Sequence, residues 1–238
     1  EIKKKIFMET LRIISDLKNV SKKIESYLPF LNSINLNYWH LKSQKFARRN
    51  SVDYEIFLKI ENSYDFIAKN FRKGARSSIK KAEKLWNVNL LNFKDDLIWN
   101  NFKKIHFDAS GRKTRSSKSW QIQYDNLITG HAFLVYLTDN CHKMVGGGFF
   151  TCSRDECEYS TGAYDRSLFD KPIGHLVQKI AINEMVSRNI KWYRLGVKAL
   201  ETNKIKPLGK DYSISLFKEG FSSNIFPVIK TNYLFQNL

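Results

Sequence analysis

Hydrophobic and polar residues alternate between Val52 and Ile60, in the sequence VDYEIFLKI. Alternation with a period of two is typical of a β-strand that buries one of its faces. Ser63 then stands at a position typical of a helix N-cap, and we expect the helix that it begins to end at Gly74. After Gly74, ARSSIKKAEKLW predicts a second helix and VNLLNF predicts a short strand.

From Asp95 onward, the order of the predicted elements is more informative than any one of them. The periodicity predicts helices from Leu97 to Phe107, from Trp120 to Leu127 and from Gly174 to Arg188. Three strands, AFLVYLT, MVGGGFFTC and CEYSTGAY, lie between the second and the third of these helices, and the last two pair as a hairpin. The strand KWYRLGV, a short helix in SISLFKEGF that ends at Gly220 in a left-handed cap, and the strand IFPVIKTNYLF follow.

The length of 238 residues and a hydrophobic fraction of 42% suffice for one large domain or two small ones. Residues 1–28 space their apolar positions three and four apart, which predicts an amphipathic helix on the outside of a domain. The sequence contains no run of about 18 apolar residues and no secretory leader, so we expect no membrane span and leave peripheral membrane contact open. The three cysteines, Cys141, Cys152 and Cys157, favour a reducing, cytoplasmic compartment.

The charge is the strongest compositional signal, because 40 Lys and Arg residues against 23 Asp and Glu residues give a formal net charge of +17. A positive field of this size favours polyanionic partners, namely RNA, DNA, anionic lipid surfaces or nucleotide-linked substrates. A coding bias toward Lys, Asn and Ile is an alternative source of part of this charge, since the chain is rich in all three.

Two basic stretches are candidates for holding the phosphates of tRNA or of a nucleotide-sugar diphosphate. Lys and Arg neutralise phosphate without reading sequence, and a Trp beside such a stretch could stack on a base or a sugar. The alternative is a solvated helix face, a mobile loop and a core Trp. The candidates are Arg76, Lys80, Lys81 and Lys84 on the second predicted helix, Arg112, Lys113, Arg115 and Lys118 in the loop SGRKTRSSKSW, and Trp120 beside that loop.

The segment YSTGAYDRSLFDKPIGHLVQKIAI joins a predicted strand to the long helix and contains the residues best suited to catalysis. Asp165, at the end of the strand, could orient or deprotonate an acceptor amine. The hydroxyls of Tyr159 and Tyr164 could protonate a leaving group or bind an oxyanion. The alternative is that the tyrosine rings pack in the core and that Asp165 caps a turn.

The start of the long helix is a candidate anion site. Free backbone N–H groups near Gly174 and His175, the helix dipole and the side chain of Lys171 could together receive a phosphate of the donor. The alternative is an ordinary helix start with Pro172 in its first turn.

Other catalytic chemistry and metal binding are not indicated. His106, His131 and His142 form no ligand or triad pattern, and neither a Gly-x-Ser-x-Gly elbow nor a Walker loop occurs. Cys152 and Cys157 frame CSRDEC, but no second Cys or His pair lies at a matching distance, so we expect no metal. The glycines of VGGGF lie within a strand pattern, where we expect a bulge or a splayed strand pair that lets the substrate backbone approach.

The order of the elements resembles the acetyltransferase (GNAT) fold. Four motifs, RSSIKKAEK, GGGFFT with YSTGAYD, GHLVQKIAINEMVSRNIKWYRLG and ISLFKEGF, resemble in this order those of its FemAB-like branch. That branch includes aminoacyl-tRNA-dependent enzymes that build peptidoglycan cross-bridges and acyltransferases of cell-envelope polysaccharide pathways. The resemblance covers about residues 50–235 and implies an α/β (α+β) fold with a mixed, mostly antiparallel central sheet flanked by helices.

The resemblance also implies how the chain is divided and where the donor binds. Residues 96–238 correspond to one complete GNAT-like acyltransferase domain, and residues 1–95 to a reduced or partial copy, whereas the cross-bridge enzymes carry two folds. KPIGHL has a single Gly where GNAT enzymes carry a glycine-rich acetyl-CoA loop, which leaves the donor open between acyl-CoA, an acyl carrier and aminoacyl-tRNA. Lys218 matches a Lys implicated in handling the reacting end of the donor, where a cation would stabilise negative charge.

The implied function is transfer of an acyl or aminoacyl group to the amine of a cell-envelope glycan or peptidoglycan precursor, such as an amino sugar or a nucleotide sugar. No metal is part of this chemistry. The alternative is a non-catalytic module on a degenerate acyltransferase fold that binds RNA or an anionic surface, which the net charge of +17 and the departure at KPIGHL favour.

Overall fold

The computed structural model describes residues 50–153, 155–201, 203 and 206–231. Within these ranges, strands and helices follow one another in the order that the hydrophobic pattern predicts. The helix predicted for residues 1–28 and the last residues of the final predicted strand lie outside the described residues. The strands are β1 (Asn50–Lys59), β2 (Asn87–Leu91), β3 (Ala132–Thr138), β4 (Met144–Cys152), β5 (Glu156–Tyr164), β6 (Trp192–Val197) and β7 (Asn224–Thr231). The helices are α1 (Tyr64–Ala68), α2 (Lys73–Ala82), α3 (Asp96–Ser110), α4 (Ser117–Ile128), α5 (Gly174–Ser187) and α6 (Gly209–Glu219), and a single 3-10 turn covers Arg166–Leu168.

The strands are hydrogen-bonded in the order β2-β3-β4-β5-β6-β1-β7. The pairs β2–β3, β3–β4, β4–β5 and β1–β7 are antiparallel. Strands β5 and β6 begin side by side, because the amides of Lys191 and Trp192 both donate to the carbonyl of Asp155. The two strands therefore run in the same direction, and α5 is the crossover that parallel neighbours require. The predicted mixed, mostly antiparallel sheet flanked by helices is confirmed.

Contacts divide the chain into two compact units. The central unit is Lys59–Tyr193, and the terminal unit combines Glu1–Leu58 with Arg194–Leu238. The division between residues 95 and 96 that the resemblance implies stays a prediction.

In the central unit, α3 and α5 cover opposite faces of β4. The ring of Phe149 meets the ring of Trp99 on α3 at a centroid distance of 5.4 Å. A Cβ on the neighbouring Gly148 would lie 2.8 Å from Val177 on α5. Because successive residues of a strand point to opposite faces, the two helices lie on the two sides of the sheet. Every residue of β4 is consequently buried, which makes this strand the centre of the unit.

The core on the α3 face is a cluster of aromatic rings. Trp99 stacks on Tyr124 at a centroid distance of 5.2 Å and packs at its edge against Trp120 at 5.7 Å. The hydroxyl of Tyr124 donates to Asp96 Oδ1 over 2.8 Å, which ties the start of α3 to α4. Burial and the neighbouring carboxylate raise the pKa of Tyr124 to about 12, so this hydrogen bond persists at neutral pH.

The boundaries of α1 and α2 agree only in part with the sequence prediction. Ser63 caps α1, since its Oγ accepts from the amide of Phe66 over 3.3 Å. However, α1 ends at Ala68, and Gly74 lies inside α2 rather than at a break. The actual break is at Arg72, whose backbone is extended with φ −55° and ψ 144°.

Gly220 also differs from its prediction. Helix α6 ends before Gly220, as expected, but the φ of Gly220 is −62°, so its backbone is right-handed. The chain leaves α6 through ordinary tight turns, in which the amide of Phe221 donates to the carbonyl of Lys218. A left-handed cap is therefore not needed at this position.

The terminal unit is held by a buried ion pair. Arg194 on β6 donates through Nε and Nη2 to the two carboxylate oxygens of Glu55 on β1, with an Nη2–Oε1 distance of 2.7 Å. Both side chains are almost completely inaccessible to solvent. Such a pair is costly to break because removing one partner leaves the other charged and buried. Ser222 adds a hydrogen bond from its Oγ to the carbonyl of Phe57 in the same strand as Glu55.

Candidate functional site

A β-bulge in β5 determines the geometry of the candidate site. Phe149 on β4 is paired with Thr161, and the next residue, Phe150, is paired with Tyr159, so Ser160 is an extra residue in β5. Tyr159 and Tyr164 are five residues apart and would point to opposite faces of a regular strand. The extra residue reverses the alternation, and both side chains lie on one face. Their hydroxyl oxygens are 2.8 Å apart.

Glycines make room for these two rings. A Cβ on Gly162 would lie 2.1 Å from the hydroxyl of Tyr159, and a Cβ on Gly148 would lie 2.9 Å from its ring. A Cβ on Gly146 would lie 2.5 Å from the ring of Tyr164. The bulge expected at VGGGF is present beside these glycines, in the pairing of Phe149 and Phe150, but tyrosine rings fill the space at Gly146 and Gly148 that was expected to admit a substrate backbone.

The tyrosine hydroxyls are proton donors over the whole physiological pH range. Burial raises the pKa of Tyr159 to about 12 and raises the pKa of Tyr164 well above its ordinary value. In a pair of hydroxyls, one donates to the other, and the O–H group of the second remains able to donate to a third atom. A ring contact with Phe150 at 5.2 Å holds Tyr159 in place. The pair thus presents a positioned, protonated donor.

Asp165 follows Tyr164 and caps the short 3-10 turn. Its Oδ1 accepts from the amide of Ser167 over 2.9 Å and from the hydroxyl of Ser167 over 2.7 Å. These hydrogen bonds, with Lys143 as a smaller cause, lower the pKa of Asp165 below its ordinary value. The turn-capping alternative is thus what the structure shows. An ionised carboxylate of lowered pKa can attract an ammonium group, but it is a weak base.

The start of α5 has no capping side chain. Ile173 occupies the N-cap position without a side-chain hydrogen bond, and Gly174 is buried. Burial lowers the pKa of His175 below its ordinary value of 6.5, so its ring is neutral at pH 7. The Nζ of Lys171 lies 5.8 Å from the centroid of the Trp86 ring. This cation–π contact directs Lys171 toward the residues that follow α2.

Lys218 lies in the terminal unit, on α6. A Cβ on Gly196 of β6 would lie 2.8 Å from the Nζ of Lys218, so the ammonium group rests on the strand where a side chain is missing. The neighbouring Glu219 has a structural role, because it accepts from Lys198 and, over 3.0 Å, from the hydroxyl of Ser215. The role of Lys218 toward a donor stays a prediction.

A cleft of about 470 Å³ lies beside Asp165 in the central unit. Helix α3, the turn between β3 and β4, and the first residues after β5 form its walls. One ion pair belongs to the α3 wall, where Lys104 Nζ is 2.8 Å from Asp108 Oδ2. The lining residues are Asn101, Lys104, Ile105, Asp108, Ala109, His142, Lys143, Met144, Asp165 and Arg166.

The basic stretches lie at the surface. Arg76 and Lys80 are exposed on α2, and Arg76 donates through Nη1 to the carbonyl of Lys69 over 2.9 Å. Arg112 and Lys113 are exposed in the loop between α3 and α4. These positions are compatible with phosphate binding and with the solvated alternative, so the predicted role stays a prediction.

Trp120 is half-buried and packs against protein on one side, so its predicted role in stacking on a base or a sugar stays a prediction. Its ring meets the ring of His106 at 5.0 Å, and the guanidinium of Arg115 lies 5.8 Å from the ring centroid. Arg115 also donates through Nη2 to the carbonyl of Ser160, the bulge residue, over 3.1 Å. The sequence could not distinguish Arg115 from the other cations of its loop, because only the register of β5 reveals its partner.

The described residues contain neither a group of side chains suited to a metal ion nor a helix suited to span a membrane. No group of three or more His, Cys, Asp and Glu side chains in residues 50–153, 155–201, 203 and 206–231 could hold a metal ion. In the same part of the chain, no helix has the length and apolar character needed to cross a membrane.

Cys152 and Cys157 lie opposite each other on β4 and β5, with their sulfur atoms 2.6 Å apart.

Solved structures share this fold at low sequence identity. FemX is 13% identical with a TM-score of 0.55, over 75% of this chain and 59% of the FemX chain. L-PGS from Bacillus licheniformis is 12% identical with a TM-score of 0.54, over 88% of this chain and 72% of L-PGS. A C-terminal domain from Agrobacterium fabrum, provisionally named as that of a lysylphosphatidylglycerol synthetase, is 12% identical with a TM-score of 0.55, over 85% of this chain and 64% of that domain.

These likenesses concern the fold. They show that the chain has the same fold as FemX and L-PGS, as the resemblance implies. The chain spans about 59% of the length of FemX, so the activity of that whole protein does not carry over directly. No protein-family model and no curated protein matches the sequence.

Proposed function

We propose that this protein transfers an acyl or aminoacyl group from an activated donor to the amine of a cell-envelope glycan or peptidoglycan precursor, with an amino sugar as the acceptor of first choice. The observation that carries the proposal is the hydroxyl pair of Tyr159 and Tyr164, which the bulge in β5 places on one face of the sheet. The fold shared with FemX and with a domain provisionally named as a lysylphosphatidylglycerol synthetase supports acyl transfer as the reaction class.

The reaction requires a donor for the developing oxyanion. The acceptor amine attacks the carbonyl carbon of the activated acyl group, and the carbonyl oxygen becomes negatively charged in the tetrahedral intermediate. The spare O–H of the Tyr159–Tyr164 pair is protonated at neutral pH because burial raises both pKa values. It can donate a hydrogen bond to that oxygen, or a proton to the leaving thiolate or ribose oxygen when the intermediate collapses, after which the phenolate takes up a proton from solvent.

The acceptor amine has a carboxylate near the same strand end. Asp165 directly follows Tyr164, and its lowered pKa keeps it ionised. It would hold the amine as an ammonium ion and orient it, while the proton is lost to solvent as the attack begins. In this role the carboxylate acts through charge rather than as a strong base.

The donor is open between acyl-CoA, an acyl carrier and aminoacyl-tRNA. The uncapped start of α5, with Lys171, Gly174 and His175, is where we place a donor phosphate. Filter binding of tRNA across a salt series tests tRNA as the donor, because binding through phosphate contacts weakens steeply as the salt concentration rises. A thermal shift with CoA thioesters tests the other donor class, since a ligand of the folded state raises the melting temperature.

The variant that tests the proposal most sharply is Tyr164→Phe, because it keeps the ring and removes one hydroxyl. Loss of an oxyanion donor lowers kcat about 100- to 1000-fold. Tyr124→Phe is the matched control, since its hydroxyl binds Asp96 in the aromatic core rather than the Tyr159–Tyr164 pair. Equal transfer rates for both variants would show that Tyr164 takes no part in the chemistry.

A second function is favoured by the exposed basic residues Arg76, Lys80, Arg112 and Lys113 and by the net charge of +17. It is binding of RNA or an anionic surface without catalysis. Tight, salt-sensitive binding of RNA or anionic vesicles, together with no turnover of any thioester or aminoacyl ester, would support this function over acyl transfer.

A further inference from the structure

The extra residue in β5 is held from outside the regular pairing of the strands. Ser160 lies opposite neither Phe149 nor Phe150 of β4. Its side chain bonds to Thr151 on β4, with 2.8 Å between the two hydroxyl oxygens. A bulge residue is left out of the ladder of backbone hydrogen bonds, and a backbone carbonyl without a partner costs free energy. A donor from elsewhere in the chain therefore stabilises the bulge.

Arg115 is this donor. Its Nη2 donates to the carbonyl oxygen of Ser160 over 3.1 Å, although the two residues are 45 positions apart in the sequence. Arg115 belongs to the loop between α3 and α4, and among residues 111–118 it alone is half-buried while the others are exposed. The loop thus turns a single cation inward, and that cation lies on the bulge.

Two further contacts hold the guanidinium group of Arg115. It lies 5.8 Å from the centroid of the Trp120 ring, and Trp120 in turn packs at its edge against the buried Trp99 at 5.7 Å. Burial lowers the pKa of Arg115, and the carboxylate of Glu158 on β5 opposes that change. Because a half-buried cation is costly without partners, these contacts indicate a fixed group rather than a solvated one.

The bulge decides whether the two tyrosine hydroxyls meet. In a regular strand, Tyr159 and Tyr164 would point to opposite faces, whereas the extra Ser160 brings their hydroxyl oxygens to 2.8 Å. A group that stabilises the bulge therefore stabilises the pair, even when it touches neither tyrosine.

We infer that Arg115 is a positioning residue of the acyl-transfer site, which acts through the carbonyl of Ser160 to hold Tyr159 and Tyr164 on one face of the sheet. The inference rests on the proposed function and deepens it, because it adds a residue that contacts the bulge rather than the donor or the acceptor.

The first measurement is acyl transfer by Arg115→Met, which keeps the length of the side chain and removes all of its donors. A misplaced catalytic group costs up to about 100-fold in rate, so kcat should fall about 10- to 100-fold. KM for donor and acceptor should stay unchanged, because the lost interaction is with the bulge and not with a substrate. Arg115→Lys keeps the charge and a donor group, so it should lose less of the rate, and it carries the test if Arg115→Met does not fold.

Arg188→Met is the matched control. The Nη1 of Arg188 also donates to a backbone carbonyl over 3.1 Å, but this carbonyl belongs to Gly130, before β3. Its guanidinium likewise lies over a ring, 4.8 Å from the centroid of Phe133. The same chemical change should leave kcat as in the wild type. Equal falls in kcat for Arg115→Met and Arg188→Met would overturn the inference.

A double variant tests whether Arg115 acts through the tyrosine pair. Tyr164→Phe removes one of the two hydroxyls, so that no pair remains for Arg115 to hold. Adding Arg115→Met to Tyr164→Phe should therefore lower kcat no further, because residues that act as a unit are not additive. An equal fall in both backgrounds would show that Arg115 acts apart from the pair, or through stability alone, and would overturn the inference.

Hydrogen exchange separates this inference from the proposed function, because it reports the opening of β5 without any substrate. The amides of residues 158–165 should exchange faster in Arg115→Met than in the wild type and in Arg188→Met. Faster exchange there, with no transfer from any donor by the wild type, would support the hold of Arg115 on the bulge and contradict the proposed function. Transfer by the wild type, with unchanged exchange and unchanged kcat in Arg115→Met, would overturn the inference and leave acyl transfer standing.

Discussion

The packing of Tyr159 against Gly162 makes a quantitative prediction for Gly162→Ala. The added Cβ would lie 2.1 Å from the hydroxyl oxygen of Tyr159 and 2.9 Å from its Cζ. These distances are far below van der Waals contact, so Tyr159 must move and its hydrogen bond to Tyr164 must break. Overpacking costs about 1 to 3 kcal/mol, and the lost hydrogen bond costs about 0.5 to 1.5 kcal/mol. The free energy of unfolding should therefore fall by about 1.5 to 4.5 kcal/mol.

The assay is urea denaturation of the wild type, Gly162→Ala, Tyr159→Phe and the double variant. Tyr159→Phe alone should cost about 1 kcal/mol, since it removes the hydrogen bond and keeps the ring. It also removes the atom closest to the new methyl group, so the double variant should lose about 0.5 to 3 kcal/mol less than the sum of the single variants. Costs that add within about 0.5 kcal/mol would refute the close contact between Gly162 and Tyr159.

Gly74→Ala is the matched control for this cycle. Its Cβ would have nothing within 4 Å, and Gly74 lies in α2. The same chemical change should therefore raise the free energy of unfolding by about 0.4 to 1 kcal/mol, because alanine restricts the unfolded chain. If Gly74→Ala also lowered the free energy of unfolding, the loss at Gly162→Ala could not be attributed to the contact with Tyr159.

Two further predictions concern His175 and Lys218. Burial lowers the folded-state pKa of His175 below 6.5, so below that pH the unfolded chain binds more protons and the stability present at neutral pH is lost. The free energy of unfolding, measured with urea, should therefore fall less between about pH 7.5 and pH 5 in His175→Gln than in the wild type. An equal fall in both proteins would show that protonation of His175 is not the source of the loss. Gly196→Ala should cost about 1 to 3 kcal/mol and displace Lys218, because the φ of Gly196 is +107° and the added Cβ would lie 2.8 Å from Nζ. An unchanged melting temperature would contradict this second prediction.

The central sheet could be predicted from the sequence because its strands have strong local signals. The run MVGGGFFTC is apolar throughout and becomes β4, which is buried on both faces. The hairpin to CEYSTGAY becomes β5, which begins one residue before Cys157. Helix α5 begins at Gly174, as its pattern predicts, since the change from turn residues to a helical spacing is local.

The contact between Tyr159 and Tyr164 could not be predicted from the sequence. Their odd separation indicates opposite faces, and only the register of β5 against β4 shows that Ser160 is an extra residue. The error at Gly74 has a related cause, because the neighbouring Ala75 is buried and tertiary packing extends the helix through the glycine. Local residue types identified the candidate residues at the end of β5, whereas long-range pairing determines how they meet.

The most direct measurement is acyl transfer by the full chain to an amine. The protein is mixed with the amino sugar glucosamine and, in separate reactions, with acetyl-CoA, an acyl carrier thioester, or a total tRNA pool charged with labelled amino acids. Mass spectrometry should detect an acceptor that gains one acyl or aminoacyl group from one donor class, and Tyr164→Phe should slow the transfer about 100-fold or more. No acylated amine with any donor, from a folded protein that binds donor and acceptor, would contradict the proposed function.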